Sequence, residues 1–264
     1  MNKFLYVLLV SLLVCSCSSY QKALKSDDVA VKYAEAEKKY DAKKYNKAIR
    51  LFEQMAPAFR GKPQSEKMFY MFAQSYYKTE QYYLSGYQFE SFVSSYPKSE
   101  KVEEAAYLEG KSYSMLSPSY SLDQIDTVKA IDKLQTFIDT YPNSTYLPEA
   151  NAALKQLTDK LEKKYFEIAK QYNTISDHKA ALVALDLFIS DYPGTQYKEA
   201  ALFYRLDSAY KLAINSIPAK MEERLKNAKV MYGNLMKFKE DTQYKEKADD
   251  MLVRIEKDLQ QYSK

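Results

Sequence analysis

Hydrophobic positions in this 264-residue chain recur at helical spacing. In five places a small residue is followed by large, mostly apolar residues four and seven positions later, which places each trio on one face of a helix. Three of these segments continue into Phe-x-x-x-Tyr-Pro, ending at Pro97, Pro142 and Pro193, and a proline there stops a helix. The five trios are Ala48/Phe52/Met55, Ser85/Phe89/Phe92, Ala130/Leu134/Phe137, Ala181/Leu185/Phe188 and Ala228/Tyr232/Leu235.

A second small residue precedes the trio in four of the units. Ala36, Ala73 and Ala169 each lie twelve positions earlier, and Gly110 takes this place in the third unit. Each unit is therefore predicted to be two antiparallel helices that meet at small residues. The helices are predicted near 28–42, 44–58, 63–79, 81–96, 100–115, 124–141, 146–173, 177–191, 196–215, 219–239 and 242–262.

This pattern resembles the tetratricopeptide repeat, a helix pair of about 34 residues. The tryptophan usual near the start of that repeat is missing, and tyrosines stand in its neighbourhood. The spacings between units are 37, 45, 51 and 47 residues, because insertions or longer helices extend units three to five. The resemblance implies an all-α fold: a right-handed α-solenoid of about five helix pairs plus a C-terminal capping helix. We expect one continuous array over 28–262, with N-terminal repeats to about 142 and C-terminal repeats from about 143.

The first residues have the character of a secretion signal. Lys3 is followed by an apolar run over 4–14 that is too short to span a bilayer. The run ends in a segment that resembles a bacterial lipobox, with Cys17 preceded by the small Ser16 and, three positions before the cysteine, by Val14. We therefore expect residues 1–16 to be cleaved, Cys17 to be lipidated, and residues 17–27 to form a tether.

Composition excludes several classes of function. The net charge of +4 is too small for electrostatic binding of nucleic acid, and five glycines do not provide several phosphate-binding loops. Both cysteines lie in the signal region, and His178, the single histidine, falls at a predicted helix start, where a surface position is the expected one. We predict a protein that is not an enzyme and that has no metal site, no cofactor and no nucleic-acid partner.

A ladder of tyrosines on the first helices is the candidate binding feature. In such arrays the first helices line a concave groove suited to a peptide, and tyrosine offers large contact area at low entropic cost. Packing between repeats is the alternative explanation. The candidate groove residues, taken from the 37-residue register of the first three units, are Tyr33, Tyr70, Tyr107, Glu37, Gln74, Lys111, Tyr40 and Tyr77.

Taken together, these features resemble the BamD, or YfiO-type, family of outer-membrane lipoproteins. The resemblance is carried by Cys17, the three Tyr-Pro boxes, Asn143-Ser144, and Ser117-Pro118 with Leu122-Asp123-Gln124 ahead of Ala130-Ile131. It implies an anchor on the periplasmic face of the outer membrane. It also implies that the C-terminal repeats contact a BamA-like barrel protein, while the N-terminal repeats receive the aromatic-rich C-terminal signals of unfolded barrel proteins.

Two other classes of lipoprotein contain such repeats. One is a periplasmic scaffold that coordinates cell-envelope, peptidoglycan-associated partners; such proteins often carry a coiled coil, and no heptad run is seen here. The other is a glycan-binding lipoprotein of the SusD type, which is longer and usually rich in tryptophan, whereas this chain has none. The first of these stays open as the alternative function.

Overall fold

The computed structural model describes residues 19–59, 62 and 65–262, and within these ranges the regular secondary structure is entirely helical. A short 3-10 turn, Gln260–Tyr262, follows the last helix. The α-helices are α1 Ser19–Lys25, α2 Val29–Asp41, α3 Tyr45–Phe59, α4 Glu66–Lys78, α5 Tyr82–Ser95, α6 Val102–Ser114, α7 Ile125–Thr140, α8 Leu147–Thr174, α9 His178–Asp191, α10 Lys198–Ile214, α11 Pro218–Phe238 and α12 Lys245–Leu259. The all-α class is confirmed.

The chain divides into two compact units. The N-terminal unit comprises Met1–Pro118 with Asp123–Leu157, and the C-terminal unit comprises Ser119–Leu122 with Thr158–Lys264. In the N-terminal unit α2 packs on α3, α4 on α5 and α6 on α7; in the C-terminal unit α10 packs on both α9 and α11, and α12 packs on α11. These helix pairs are as predicted. One continuous solenoid over 28–262 stays a prediction.

The small residues of the repeat pattern lie where pairs of helices approach closely. All five at the start of the trios are fully buried, and the small residues of the first helices are buried as well. At Gly110 a side chain would have no room, because an added Cβ would lie 2.9 Å from Leu134 Cδ2 on α7. The hydrophobic pattern therefore marked the contact faces correctly. Tyr232 is the trio member that stays half-buried.

Each Phe-x-x-x-Tyr-Pro box forms the same corner at the end of a second helix. The tyrosine amide donates to the phenylalanine carbonyl, at 2.8 Å for Tyr96, 2.9 Å for Tyr141 and 3.0 Å for Tyr192. The two rings of each box pack against each other, with centroids 5.2, 5.5 and 5.4 Å apart in the same order. The corner thus ends the helix and buries one face of the tyrosine.

The turns between first and second helices are also alike. Lys43, Glu80 and Ser176, each five positions before the small residue of the second helix, adopt left-handed backbone conformations with φ of 55°, 59° and 64°. In each turn the following amide donates back to a carbonyl five residues earlier, as in a Schellman motif. Glycine is the usual residue at this conformation, yet the chain has a side chain in all three turns.

Part of the predicted tether is a packed helix. Ser19–Lys25 forms α1, in which Tyr20 and Ala23 are buried against the first repeat. The Ser19 hydroxyl donates to Glu35 at 3.0 Å. A seven-residue helix is too short to be stable alone, so tertiary packing holds it and no local pattern predicts it. The tether expected over 17–27 is therefore shorter than predicted. Residues 1–16 and Cys17 lie outside the described residues.

Candidate functional site

The predicted groove residues lie on the first helices of the N-terminal unit. Contacts between these helices place α2, α4, α6 and the start of α8 along one face. Lys67 on α4 pairs with Glu37 on α2, and Tyr107 on α6 donates to Glu149 on α8 at 2.6 Å. The face formed by these four helices is called the inner face below.

At the α2 end of the inner face, Tyr33 is half-buried and stacks on Phe59 with ring centroids 6.2 Å apart. Burial raises the pKa of the Tyr33 hydroxyl, and the Glu37 carboxylate adds to the rise. Glu37 is itself half-exposed and paired with Lys67. Tyr33 therefore combines a packing contact with a partly accessible ring.

In the middle of the face, Tyr70 rests edge-on against Phe89 and Phe92, at 6.2 and 5.7 Å between centroids. The buried Gln74 donates its side-chain amide to the Tyr70 hydroxyl at 2.9 Å. Burial, followed by a hydrogen bond with Glu104, raises the pKa of Tyr70. Tyr70 and Gln74 are thus joined to each other, and the Tyr70 ring is part of the wall of the core.

Tyr107 differs from the other two members of the ladder because it is buried, with 5% of its surface exposed. Its ring stacks on Tyr146 at 4.7 Å and 11°. Burial and the hydrogen bond with Glu149 raise the pKa of its hydroxyl. The first turn of α8 covers this tyrosine, and for Tyr107 the structure therefore places the side chain in packing between repeats.

Tyr40 and Tyr77 occupy one register position in successive repeats and make the same contact. Each ring meets the first tyrosine of its second helix edge-on, Tyr45 at 5.6 Å and Tyr82 at 5.8 Å. Both are half-exposed, and burial raises the pKa of both hydroxyls. Like the Tyr33 ring, these two rings present half-exposed aromatic surface on the inner face.

The charge along the inner face changes with the repeat. The register position just after the small residue holds Glu37 in the first repeat, Gln74 in the second and Lys111 in the third. Among the described residues Lys111 makes no ion pair, whereas Lys67 pairs with Glu37 and Lys101 pairs with Glu104 at 3.1 Å. In the third repeat this register position therefore holds a cation that is unpaired among the described residues.

Sequence reasoning did not find four charged residues of this face: Lys67, Lys101, Glu104 and Glu149. Glu104 faces Tyr70. Glu149, 42 residues further along the chain, accepts the hydrogen bond from the Tyr107 hydroxyl. Their roles depend on contacts between repeats, which the repeat register alone does not show. His178 stands at the start of α9, where Asp177 caps the helix by accepting from Ala180 N at 3.1 Å.

The described part of the chain contains no cluster of three or more His, Cys, Asp or Glu able to hold a metal ion. Nor does any helix within residues 19–59 and 65–262 have the length and apolar character needed to cross a membrane. What the inner face offers is aromatic surface, hydrogen-bonding groups and the ammonium of Lys111, which makes no ion pair among the described residues. Such an arrangement suits binding of a peptide.

The chain is similar to named proteins over most of its length. Curated relatives called outer membrane protein assembly factor BamD include that of Pasteurella multocida, 27% identical over 67% of this chain and 72% of the relative. The Haemophilus influenzae protein is 24% identical over 81% of this chain and 86% of the relative. The Caulobacter vibrioides protein is 22% identical over 84% of this chain and 72% of the relative. The prediction of a protein that is not an enzyme agrees with these names.

Among solved structures, the chain is similar to the TPR2AB domain of yeast Sti1 in its complex with pHSP90. The alignment covers 86% of this chain and 98% of the Sti1 chain, with 16% sequence identity and a TM-score of 0.39. Residues 25–225, well over half of the chain, match the family described as YfiO, outer membrane lipoprotein. The resemblance expected from the lipobox and the Tyr-Pro boxes is confirmed. The chain therefore belongs to the YfiO family of outer membrane lipoproteins.

Proposed function

We propose that this chain is a scaffold for assembly of outer-membrane β-barrel proteins, anchored through a lipid on Cys17. In this proposal its N-terminal unit receives the C-terminal signals of unfolded barrel proteins, and its C-terminal unit docks a BamA-like barrel protein. Membership of the YfiO family and the names of the relatives support the assembly role. The inner face, with its half-exposed tyrosine rings and a Lys111 that makes no ion pair among the described residues, is the observation that carries the receiving role.

The inner face matches the chemistry of a barrel protein's last strand. That strand is rich in aromatic side chains and ends in a free carboxylate. Tyr40 and Tyr77 present half-exposed rings in successive repeats, and aromatic pairs prefer the offset and edge-on geometries that such surfaces allow. The peptide's aromatic residues are assigned to these two rings, and no bond is made or broken in the process.

The charge order of the face gives the peptide a direction. Glu37, Gln74 and Lys111 occupy one register position, so this position changes from a carboxylate to an ammonium group across three repeats. A peptide carboxylate is attracted to the Lys111 end, where the cation has no partner among the described residues. We therefore place the C-terminus of the signal strand at α6 and its preceding residues toward α2.

The direction is tested with paired peptides. A barrel-protein C-terminal peptide with a free carboxylate is expected to bind the wild-type chain about three- to tenfold more tightly than its C-terminal amide, the range of a partly exposed charge pair. Lys111→Gln should remove this difference, because the cation is then absent. Isothermal titration of both peptides against both proteins measures the interaction energy between the peptide carboxylate and Lys111 directly.

Lys67→Gln is the matched control for this titration, since Lys67 is on the same face but already pairs with Glu37. It should keep the preference for the free carboxylate. If Lys111→Gln retains the full preference, the carboxylate is bound elsewhere and the proposed direction is wrong. Truncating Tyr70 is a poorer test because that ring packs on Phe89 and Phe92, so its loss also disturbs the core.

The C-terminal unit carries exposed apolar side chains on its second helices. Val183 on α9 and Val230 on α11 are 62% and 61% exposed and occupy the same register position, two residues after the small residue. Leu187, one turn after Val183, is 58% exposed. Exposed apolar positions that repeat in register favour a protein partner. We assign this surface to the BamA-like barrel protein.

Replacing Val183 and Leu187 by aspartate is expected to reduce co-purification of the barrel protein from mild detergent by at least tenfold, because two carboxylates would be buried at the contact. The control is Ile125→Asp with Val128→Asp, which changes two exposed apolar residues on α7 in the N-terminal unit. Equal loss in both variants contradicts the assignment. Recovery of peptidoglycan-associated proteins with no barrel protein would favour the alternative scaffold instead.

A further inference from the structure

Four lysines surround an open cleft at the turns of the first two repeats. Lys43 and Lys44 lie in the turn between α2 and α3, Lys47 in the first turn of α3 and Lys78 at the end of α4, around a cleft of about 560 Å³. All four side chains are exposed, and within the described ranges none of them makes an ion pair. These residues are called the lysine cleft.

The lysine cleft adjoins the N-terminal end of α1. The Lys47 ammonium lies 5.2 Å from the centre of the Tyr20 ring, and the Lys39 ammonium lies 5.8 Å from it. Ser19, the first residue of α1, donates to Glu35, which also pairs with Lys39 at 2.6 Å. The chain therefore leaves the first repeat toward its N-terminus at the end where the lysines gather.

The proposed lipid site is only two residues from that point. Cys17 precedes Ser19, the first described residue, by two positions in the chain, and consecutive Cα atoms are only about 3.8 Å apart. Acyl chains on Cys17 hold it at the surface of the membrane. The first repeat then has little freedom to lift its lysine-rich end away from the lipid headgroups.

We propose that the lysine cleft binds the headgroups of anionic phospholipids in the leaflet that holds the anchor. The proposal rests on lipidation of Cys17 for its location. Glu80 lines the cleft and Asp41 is the last residue of α2, but the four lysines outnumber these carboxylates. Basic residues close to an anionic membrane each add to binding, and a basic surface supplements a lipid anchor as a second attachment.

Lys43 allows a test that keeps the turn intact. Its φ of 55° is a conformation that asparagine tolerates better than lysine, so Lys43→Asn removes a charge without straining the backbone. The full test variant combines Lys43→Asn with Lys44→Gln, Lys47→Gln and Lys78→Gln. Its control carries glutamine at Lys179, Lys220, Lys237 and Lys247, exposed lysines of the C-terminal unit, for the same change in net charge.

The experiment uses the chain from residue 17 with Cys17→Ser, so that no acyl chain contributes. Sedimentation with vesicles of phosphatidylcholine, with and without phosphatidylglycerol, measures binding. The control variant is expected to bind the anionic vesicles as the parent chain does, and the test variant on the order of a hundredfold more weakly. Lys43→Asn alone should weaken binding by about fivefold, and added salt should weaken it in the parent.

Equal binding by the test variant and the parent overturns the proposal, as does an equal loss in the control variant. Circular dichroism of each variant shows whether the helices are retained, and the single Lys43→Asn change provides the answer if the fourfold variant unfolds. Failure here leaves the peptide and barrel-protein assays unaffected, because neither depends on lipid. Conversely, a chain that is not lipidated at Cys17 would still show the lysine-dependent binding in this assay.

Discussion

A chain with Cys17→Ala is expected to keep its N-terminal signal uncleaved at the lipoprotein site and to lose its lipid. Lipid attachment requires the cysteine thiol, so the effect is all-or-none. Each buried methylene contributes about 0.8 kcal/mol to membrane binding, and loss of every acyl chain leaves only surface interactions such as those of the lysine cleft.

Incorporation of labelled palmitate and the mass of the mature N-terminus measure this effect. Cys15→Ala is the matched control, since that cysteine lies two residues away in the same segment. It should leave processing and lipid content unchanged, because the resemblance to a lipobox is centred on Cys17. Lipid retained by the Cys17→Ala chain and lost from the Cys15→Ala chain would reverse the assignment.

Lys133→Met is expected to destabilise the N-terminal unit by about 3–5 kcal/mol, the cost of leaving a buried charge without its partner. The Lys133 ammonium on α7 lies 2.8 Å from Glu109 and 2.9 Å from Glu90. Glu109 on α6 is buried, with 6% of its surface exposed, and Tyr113 donates to Glu90 at 3.1 Å. Removing the ammonium leaves Glu109 as an uncompensated carboxylate between two helices.

The destabilisation caused by Lys133→Met should become smaller as the pH falls. Burial raises the pKa of Glu109 above its ordinary value even beside Lys133, and without that cation the pKa rises further. In the folded variant, Glu109 then takes up a proton at higher pH than it does in the unfolded chain. Its stability therefore increases as the pH falls from the folded pKa toward the ordinary value near 4.5. Urea unfolding at neutral and mildly acidic pH measures this trend.

Two further variants separate this mechanism from a simple loss of packing. Adding Glu109→Gln to Lys133→Met should restore most of the stability and abolish the pH trend, because the buried charge is gone. Lys129→Met, at a more exposed lysine 3.6 Å from Glu90, should cost less than about 1 kcal/mol. A double variant no more stable than Lys133→Met alone would show that the buried carboxylate is not the cause.

The helix boundaries were predictable because local chemistry fixes them. Small residues, apolar trios and Tyr-Pro boxes lie close together in the chain, and the helices they predicted are present to within a few residues. Helix α1 was not predicted because its stability comes from burial of Tyr20 against the first repeat, a contact absent from the local pattern. The sequence also contains no signal for the left-handed turn at Lys43, since glycine is the usual marker.

For the candidate site, the repeat register predicted which helices carry the tyrosines but did not predict how exposed each tyrosine is. Tyr33, Tyr70 and Tyr107 lie on first helices as expected, but their environments differ. Tyr107 is buried because Tyr146, just before α8, and Glu149 in α8 cover it, and these residues follow it by 39 and 42 positions. Likewise, the partner of Glu37 is Lys67 on the next repeat's first helix. Contacts between repeats therefore decide which members of a periodic ladder stay accessible.

The Phe-Tyr corners make repeat length adjustable in this protein. Ring separation in the three corners stays between 5.2 and 5.5 Å, although the repeats are spaced 37 to 51 residues apart. A repeat whose second helix ends in such a corner does not require the next repeat to have a fixed length. Extra helical turns, as in the 28-residue α8, then add surface without altering how a unit finishes. The corners are therefore natural boundaries for engineering, at which whole repeats are lengthened, exchanged or removed as modules.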